Sequence, residues 1–408
     1  MAKRRKEENV PIEMIGLVSD QKTKKPNTYW EKAERLYRMA FRVILCVLPV
    51  FVIVFVAVCS RAFTYESIYC FFKDLGATGS FVNADYQSVS YTYEEGERSI
   101  VSYRGGVAVV GHNGVEVYSP SGEILLVKEA TMKAPRAVAS RKFLVAYDCG
   151  EKGFTVTNTY ARVHQGETEF PVYMAEVADT GHFALVTPSD DDLSHVYLYN
   201  ENCKLIHCFE TTYAVTGVAI SENGSHIALL GLASKQGNVF SVMEVYRIGD
   251  TTPATTVMLE GEAPLAVDFT NNRNLSVLTD TALRVFSLSG EERNCTAFSG
   301  VIVAFDSNEH GTAVILELDD FTATHRVIVM DKKGKLLTDT AISGAVSAVS
   351  VAERRAFLLA NGEILAVSGR NGEIVSQKCD KGAVGLFAVD SKRVRVSYAG
   401  EAKLYTIE

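Results

Sequence analysis

The chain has 408 residues, 47% of them hydrophobic and 22% charged, a globular rather than disordered composition with mass enough for a substantial core. Its net charge of −8 hides an asymmetry: residues 1–42 hold eleven Lys/Arg and six Asp/Glu, a net of +5, and the remainder carries −13. So acidic a body argues against a phosphate-binding nucleic-acid surface, whereas the basic head suits an anionic membrane face.

Residues 1–27 read as a basic, disordered cytoplasmic tail. Thr28-Tyr29-Trp30-Glu31 then has the spacing of a helix capping box, with Thr28 as N-cap and Glu31 three residues on. Trp30, Ala33, Tyr37 and Phe41 fall on one helical face and Lys32, Arg35 and Arg38 elsewhere, which predicts an interfacial amphipathic helix over 28–42. A docking surface for a cytoplasmic partner is the alternative reading of that face. From Val43 to Ser60 no residue is formally charged, and thirteen of the eighteen are Val, Ile, Leu or Phe. Such a helix spans roughly 27 Å, and its apolar side chains favour insertion by about 4–8 kcal/mol. Pro49 costs one backbone hydrogen bond, which a membrane helix absorbs as a kink. Forty-two residues are too many for an ordinary signal-peptide n-region, so 43–60 is expected to be an uncleaved transmembrane anchor in contact with lipid. Lys and Arg crowd before the span, with only Arg61 and Lys73 close after it. The positive-inside rule then predicts a cell-membrane protein with its N-terminus in the cytoplasm and its C-terminal domain outside. Ile68, Phe71, Phe72 and Leu75 mark a short juxtamembrane helix, and Gly76 to Ser80 a linker, together filling 61–85.

From about residue 86 the pattern changes to period-2 alternation with turn residues every 8–12 positions. Val115-Glu-Val-Tyr-Ser-Pro-Ser-Gly122 recurs near Val196, Leu283, Val327 and Leu365, each copy a strand, a tight turn and a second strand. A second hairpin lies about 20 residues earlier, as Glu176-Val-Ala-Asp-Thr-Gly181, Ala219-Ile-Ser-Glu-Asn-Gly224, Val267-Asp-Phe-Thr-Asn-Asn and Ala304-Phe-Asp-Ser-Asn. Two hairpins make a four-stranded unit of about 40 residues, the size of a propeller blade. Units start near Ser99, Lys133, Phe170, Tyr213, Glu262, Gly300, Gly344 and Gly382. The last supplies three strands, and Gln87 to Tyr93 alternates and is placed to supply the fourth, closing the ring. The expected fold is therefore an all-β, eight-bladed β-propeller over 86–408, preceded by one transmembrane α-helix. Seven blades is the alternative, because the second unit is weakly marked.

These units resemble the blades of the WD40-like and quinoprotein-like propeller superfamily, Ser221-Glu-Asn-Gly-Ser-His-Ile227-Ala228 being the closest copy of its recurring segment. The Trp-Asp dipeptide and Gly-His pair of true WD40 repeats are missing. As a whole the chain is also similar to an uncharacterised family (a domain of unknown function) of Firmicute membrane proteins with a basic N-terminus, one transmembrane helix and a propeller-like region. That resemblance implies localisation and fold and brings no activity.

Chemical motifs are sparse. There is no C-x-x-C, H-E-x-x-H, G-x-S-x-G, Walker A or dinucleotide fingerprint. For Cys203 and Cys208 buried free thiols are the simpler expectation, with a disulfide across the hairpin turn as the alternative. His182 and His226 hold similar places after the turn glycines of adjacent units, where polar turn residues are the simpler reading. Asp190-Asp191-Asp192, followed by Ser194 and His195, is an acidic loop without the spacing of a calcium loop. Trp30 is the only tryptophan, which weakens quinoprotein and sugar-binding readings. Sequons stand at Asn223, Asn274 and Asn294. The expectation is a non-catalytic protein-interaction or scaffold module at the cell surface, with no catalytic, cofactor-binding or metal residues, no cofactor and no nucleic acid. The rival is a ligand receptor or hydrolase-type enzyme whose acidic or histidine residues converge in the central channel.

Overall fold

The computed structural model describes residues 28–58, 86–92, 96–308, 310–319 and 324–407. The expected tail (1–27) and juxtamembrane segment (61–85), with residues 59 and 60 of the expected span, lie outside them.

Two compact units divide the chain, 1–69 and 70–408. In the first, one helix of 31 residues, Thr28–Val58, takes in the expected interfacial helix and most of the expected span, with Pro49 inside it. Arg38 and Glu34 pair one turn apart on its exposed surface. Among the described residues no helix is long and apolar enough to cross a membrane. The side chains of residues 50–58 are outside the description, so the expected span rests on its sequence.

In the second unit, thirty-two strands among the described residues form eight four-stranded antiparallel sheets. In order the blades occupy 99–129, 135–167, 174–211, 214–260, 264–297, 301–343, 346–378 and 385–406. Each begins within four residues of its sequence-predicted start. Blade 2, the weakly marked one, is complete with four strands.

Burial explains why the second and third strands of each blade read as apolar runs. Leu144–Asp148 and Gly106–Gly111 are buried at every position, because neighbouring blades cover both faces of the sheet. Outermost strands alternate instead, as Arg162–Glu167 and Ile374–Lys378 do. Backbones approach closely enough at the hairpins that a side chain on Gly106 would put its Cβ 1.9 Å from the Tyr118 carbonyl oxygen.

The core is a torus. Each of eight apolar clusters draws its members from two consecutive blades, the last joining blade 8 to blade 1 through Val89, Tyr91, Tyr118 and Ala402. Polar bridges reinforce the junctions. Tyr103 Oη donates to the Lys142 carbonyl between blades 1 and 2, and Tyr173 Oη to the Val215 carbonyl between blades 3 and 4, both at 3.0 Å. Thr296 Oγ1 reaches the Gly334 carbonyl at 2.7 Å between blades 5 and 6.

Closure runs through the expected segment. Val89–Ser90 pairs antiparallel with Glu401–Thr406, Val89 opposite Ala402 and Ser90 opposite Glu401, and so becomes the outer strand of blade 8. Fully buried Arg395 secures it from inside, Nη2 donating to the carbonyls of Gln87 (3.3 Å) and Pro120 (2.9 Å). Desolvation pushes this guanidinium down to about 10. Beside it, Arg393 lies 4.0 Å from the centroid of the Tyr86 ring. Both carbonyls accept from Nη2 alone, while Nε and Nη1 are buried without a hydrogen-bond partner, so the two bonds depend on where the long arginine side chain places that one nitrogen. Arg395→Lys, which withdraws the donor from that place, is expected to cost about 1–3 kcal/mol, read as a lower urea midpoint at unchanged slope. An unchanged midpoint would show that the Nη2 bonds contribute nothing to closure.

Candidate functional site

The innermost strands of the blades ring a central channel that widens into two cavities. The larger, about 630 Å³, opens at the end where first strands turn into second strands, and Arg104, Ser140, Arg141, Asp179, Glu222 and Asn308 line it. The smaller, about 250 Å³, is lined by the opposite ends of the inner strands, with Met174, Thr216, Leu265 and Phe305. Glu176, Asp268 and Ser307 line both, so they mark the waist of the channel.

Strand register sets the acidic pair at the waist. Glu176 of blade 3 pairs with Ala184 and Asp268 of blade 5 with Ser276, near the turn in each blade. At the matching place in blade 4, Ala219 pairs with Ala228 and lines the same cavity, too small to screen one carboxyl from the other. Burial pushes the Glu176 carboxyl up to about 8, and the charge of Asp268 adds to the rise. A backbone hydrogen bond at Val177 opposes it, and no cation enters the balance. Glu176 is therefore mostly protonated at neutral pH.

A third acidic residue of the smaller cavity is turned elsewhere. Asp306 Oδ2 accepts from the Val351 N–H at 2.7 Å and from Asn308 Nδ2 at 3.3 Å, while Asn308 Nδ2 also donates to the Val351 carbonyl at 3.0 Å. Together these bonds clamp blade 6 to blade 7. At the wider mouth, Asp179 takes the Arg141 N–H on one oxygen (2.7 Å) and Arg141 Nε on the other (3.0 Å). Arg104 Nη1 donates to Thr159 Oγ1 at 2.9 Å.

The residues singled out in the sequence lie away from this channel. His182 Nδ1 meets Thr180 Oγ1 at 3.0 Å and its Nε2 sits 3.4 Å from Glu201, whereas His226 Nδ1 meets Ser225 Oγ at 2.8 Å. Burial lowers both imidazoles below their ordinary range. The 190–192 acidic loop joins the second and third strands of blade 3, where Asp192 lies 3.7 Å from His195 Nε2. Among the described residues no group of three His, Cys, Asp or Glu is arranged to hold a metal. Cys203 and Cys208 are both free thiols, pushed up to about 11 by burial. Sequence reasoning quoted the segments that hold Glu176 and Asp268 as repeats without marking either residue. The available signal was a carboxylate on a strand that is otherwise mostly apolar.

No curated protein matches the chain. Among solved structures, it is similar to BamB from Moraxella catarrhalis at 12% identity and a TM-score of 0.52, covering 78% of this chain and 99% of that one. It is also similar to Chaetomium thermophilum Sqt1, determined bound to the N-terminus of the ribosomal protein L10, at 11% identity and a TM-score of 0.53, covering 79% and 100%. At such identities the likeness is one of fold. A model of a family of unknown function, DUF5711, matches residues 80–407, four-fifths of the sequence, and the chain belongs to that family.

Proposed function

We propose that this protein is a membrane-anchored, non-catalytic propeller that serves as a protein-interaction module outside the cell. One observation carries the reading. At the end of the ring where second strands turn into third strands and blade-to-blade links run, Leu193, Val239, Val301, Leu318 and Val384 are each more than half exposed. Large apolar side chains gathered at one end of a rigid scaffold are the usual mark of a protein-binding surface. The two solved propellers are consistent with this, one of them having been determined with a protein segment bound. An acidic body favours a protein partner over nucleic acid.

Anchoring is supported by the uncharged run 43–60 and by the helix itself, on which Val43, Ile44, Leu45, Val47 and Leu48 are all more than half exposed and so require a lipid or protein cover. The charge bias before the span supports the orientation.

A photocrosslinking amino acid at Val239, Leu318 or Val384 is expected to give a discrete protein adduct in intact cells. Val163, exposed on the outer strand of blade 2, is expected to give none. The adduct should disappear when the two neighbouring positions carry glutamate. Equal labelling from Val163 would remove the interaction reading. Protease added to intact cells is expected to digest the propeller, and full protection would reverse the orientation.

A further inference from the structure

We propose that the helix Thr28–Val58 pairs in parallel with the same helix of a second copy of this chain, along the stripe Trp30, Ala33, Tyr37, Ala40, Ile44 and Val47. This rests on the membrane-anchored reading and adds the partner of the anchoring helix.

The sequence predicts that residues 28–42 lie along the membrane surface ahead of the span. The structure instead runs one unbroken helix from Thr28 to Val58, so those residues share an axis with the apolar run that follows. A rod entering the bilayer near Val43 carries them about 22 Å outward, well past a headgroup layer roughly 5–8 Å deep. Most of their apolar side chains then stand out of reach of lipid, yet Leu36 (74%), Tyr37 (80%) and Phe41 (60%) are exposed. A standing rod with an apolar face calls for another helix to cover it.

Spacing and charge point to a second copy as that cover. The stripe advances by alternate steps of three and four residues, the a and d positions of a heptad, and by sequence Phe51, Val54 and Val58 carry it to the end of the helix. All six charged residues of 28–42 keep off it. Lys32, Arg35, Arg38 and Arg42 fall at the outward positions c, f, b and f, Glu31 at b and Glu34 at e. Arg38 is engaged with Glu34 of its own helix. No cation would therefore face its twin, whereas like charges on the seam would forbid pairing with an identical helix. Pro49 falls at an f position, so its kink also lies off the seam. Leu36 at g and Phe41 at e would meet across the pair and lose their exposure. Ala33 and Ala40, exposed at d positions, let two backbones approach closely. A shared membrane holds every copy parallel and at one depth, so the stripes meet in register at a raised local concentration.

The test is oxidative cross-linking of the full chain in cell membranes with copper phenanthroline, in a Cys46→Ser, Cys59→Ser background that also sets the baseline. Cysteine is placed singly on the seam, as Ala33→Cys, Tyr37→Cys or Ala40→Cys, and off it, as Lys32→Cys, Arg35→Cys or Arg42→Cys. Each seam position is expected to give a product of twice the chain's mass, at least fivefold more abundant than from any outer position. Adding Tyr37→Glu to Ala33→Cys should cut that product at least fivefold, whereas adding Arg35→Glu should leave it unchanged. Equal cross-linking from all six positions, no doubled product from any, or a seam adduct of another mass in place of the doubled chain would each overturn the pairing. An alkaline carbonate wash separates the two readings. A chain that resists the wash and gives no seam product overturns the pairing alone, and a chain stripped from the membrane overturns the anchor together with it.

Discussion

Val89→Asp is expected to open the ring, with a loss of about 4 kcal/mol in unfolding free energy. Val89 is fully buried in the cluster that joins blade 8 to blade 1, and its strand is only two residues long. Removing a buried valine costs roughly 1.5–3 kcal/mol, and burying a carboxylate with no partner adds at least as much again unless the strand lets go. The strand letting go is the cheaper outcome, so the damage should concentrate at the closure. Domains of this kind hold only about 5–15 kcal/mol in total. The urea midpoint should fall steeply, and limited proteolysis should cut near residue 92 before anywhere else. Val163→Asp, on the exposed outer strand of blade 2, should stay within about 0.5 kcal/mol of the parent. If the two variants unfold alike, closure by this strand is not what holds the ring.

The second large effect depends on pH. Glu176 has its carboxyl raised from an ordinary 4.5 to about 8, chiefly by burial and then by Asp268. A raised acid binds its proton more tightly in the folded state, so the native chain carries more protons than the unfolded one between those two values, and stability falls as pH rises through the window. Below pH 4.5 both states are protonated and the group contributes nothing. Above pH 8 the whole penalty is present, roughly 2–4 kcal/mol once water in the channel is allowed for. Glu176→Gln cannot ionise. Its urea midpoint should match the parent at pH 5 and exceed it at pH 9, and a constant difference at both would show that Glu176 titrates normally. Asp268→Asn should move the parent's transition toward lower pH, because it removes the second cause of the rise.

Much of the ring could be read from the chain, for reasons that can be traced residue by residue. Period-2 alternation and turn glycines such as Gly122, Gly290, Gly334 and Gly372, all at positive φ, locate the hairpins between third and fourth strands. Blade 2, the weakly marked one, has no glycine at its corresponding turn. There Asn158 Oδ1 accepts the N–H groups of Tyr160 (2.9 Å) and Ala161 (2.7 Å), an Asx turn that leaves little mark in a glycine-based pattern. The closing strand was legible because Gln87 to Tyr93 alternates ahead of a last unit that is one strand short.

The acidic pair was hidden for a different reason. Glu176 and Asp268 lie in blades 3 and 5, and alternation says which residues share a face without saying which strand faces the channel. A register shift between Phe269 and Asn271 also displaces blade 5 by one position relative to its neighbours. Aligned by sequence alone, Asp268 falls opposite Ile220, whereas by register it corresponds to Ala219. The bulge thus concealed a match that only the paired strands reveal.

The way the chain enters the ring also has a mechanical meaning. Tension transmitted from residue 86 would fall first on Tyr86 against Arg393 and on Gln87 against Pro120 and Arg395. It would then pass to Val89 and Ser90 against Ala402 and Glu401, and to Tyr91, whose N–H donates to the Gly400 carbonyl and whose hydroxyl donates to the carbonyls of Tyr398 and Glu401. These contacts form a clasp in series with the pull, while the seven other junctions lie beyond it and carry no load until it gives way. A stretched tether would therefore release one blade edge at a defined place, baring the strand Glu401–Thr406 and leaving the rest of the ring assembled.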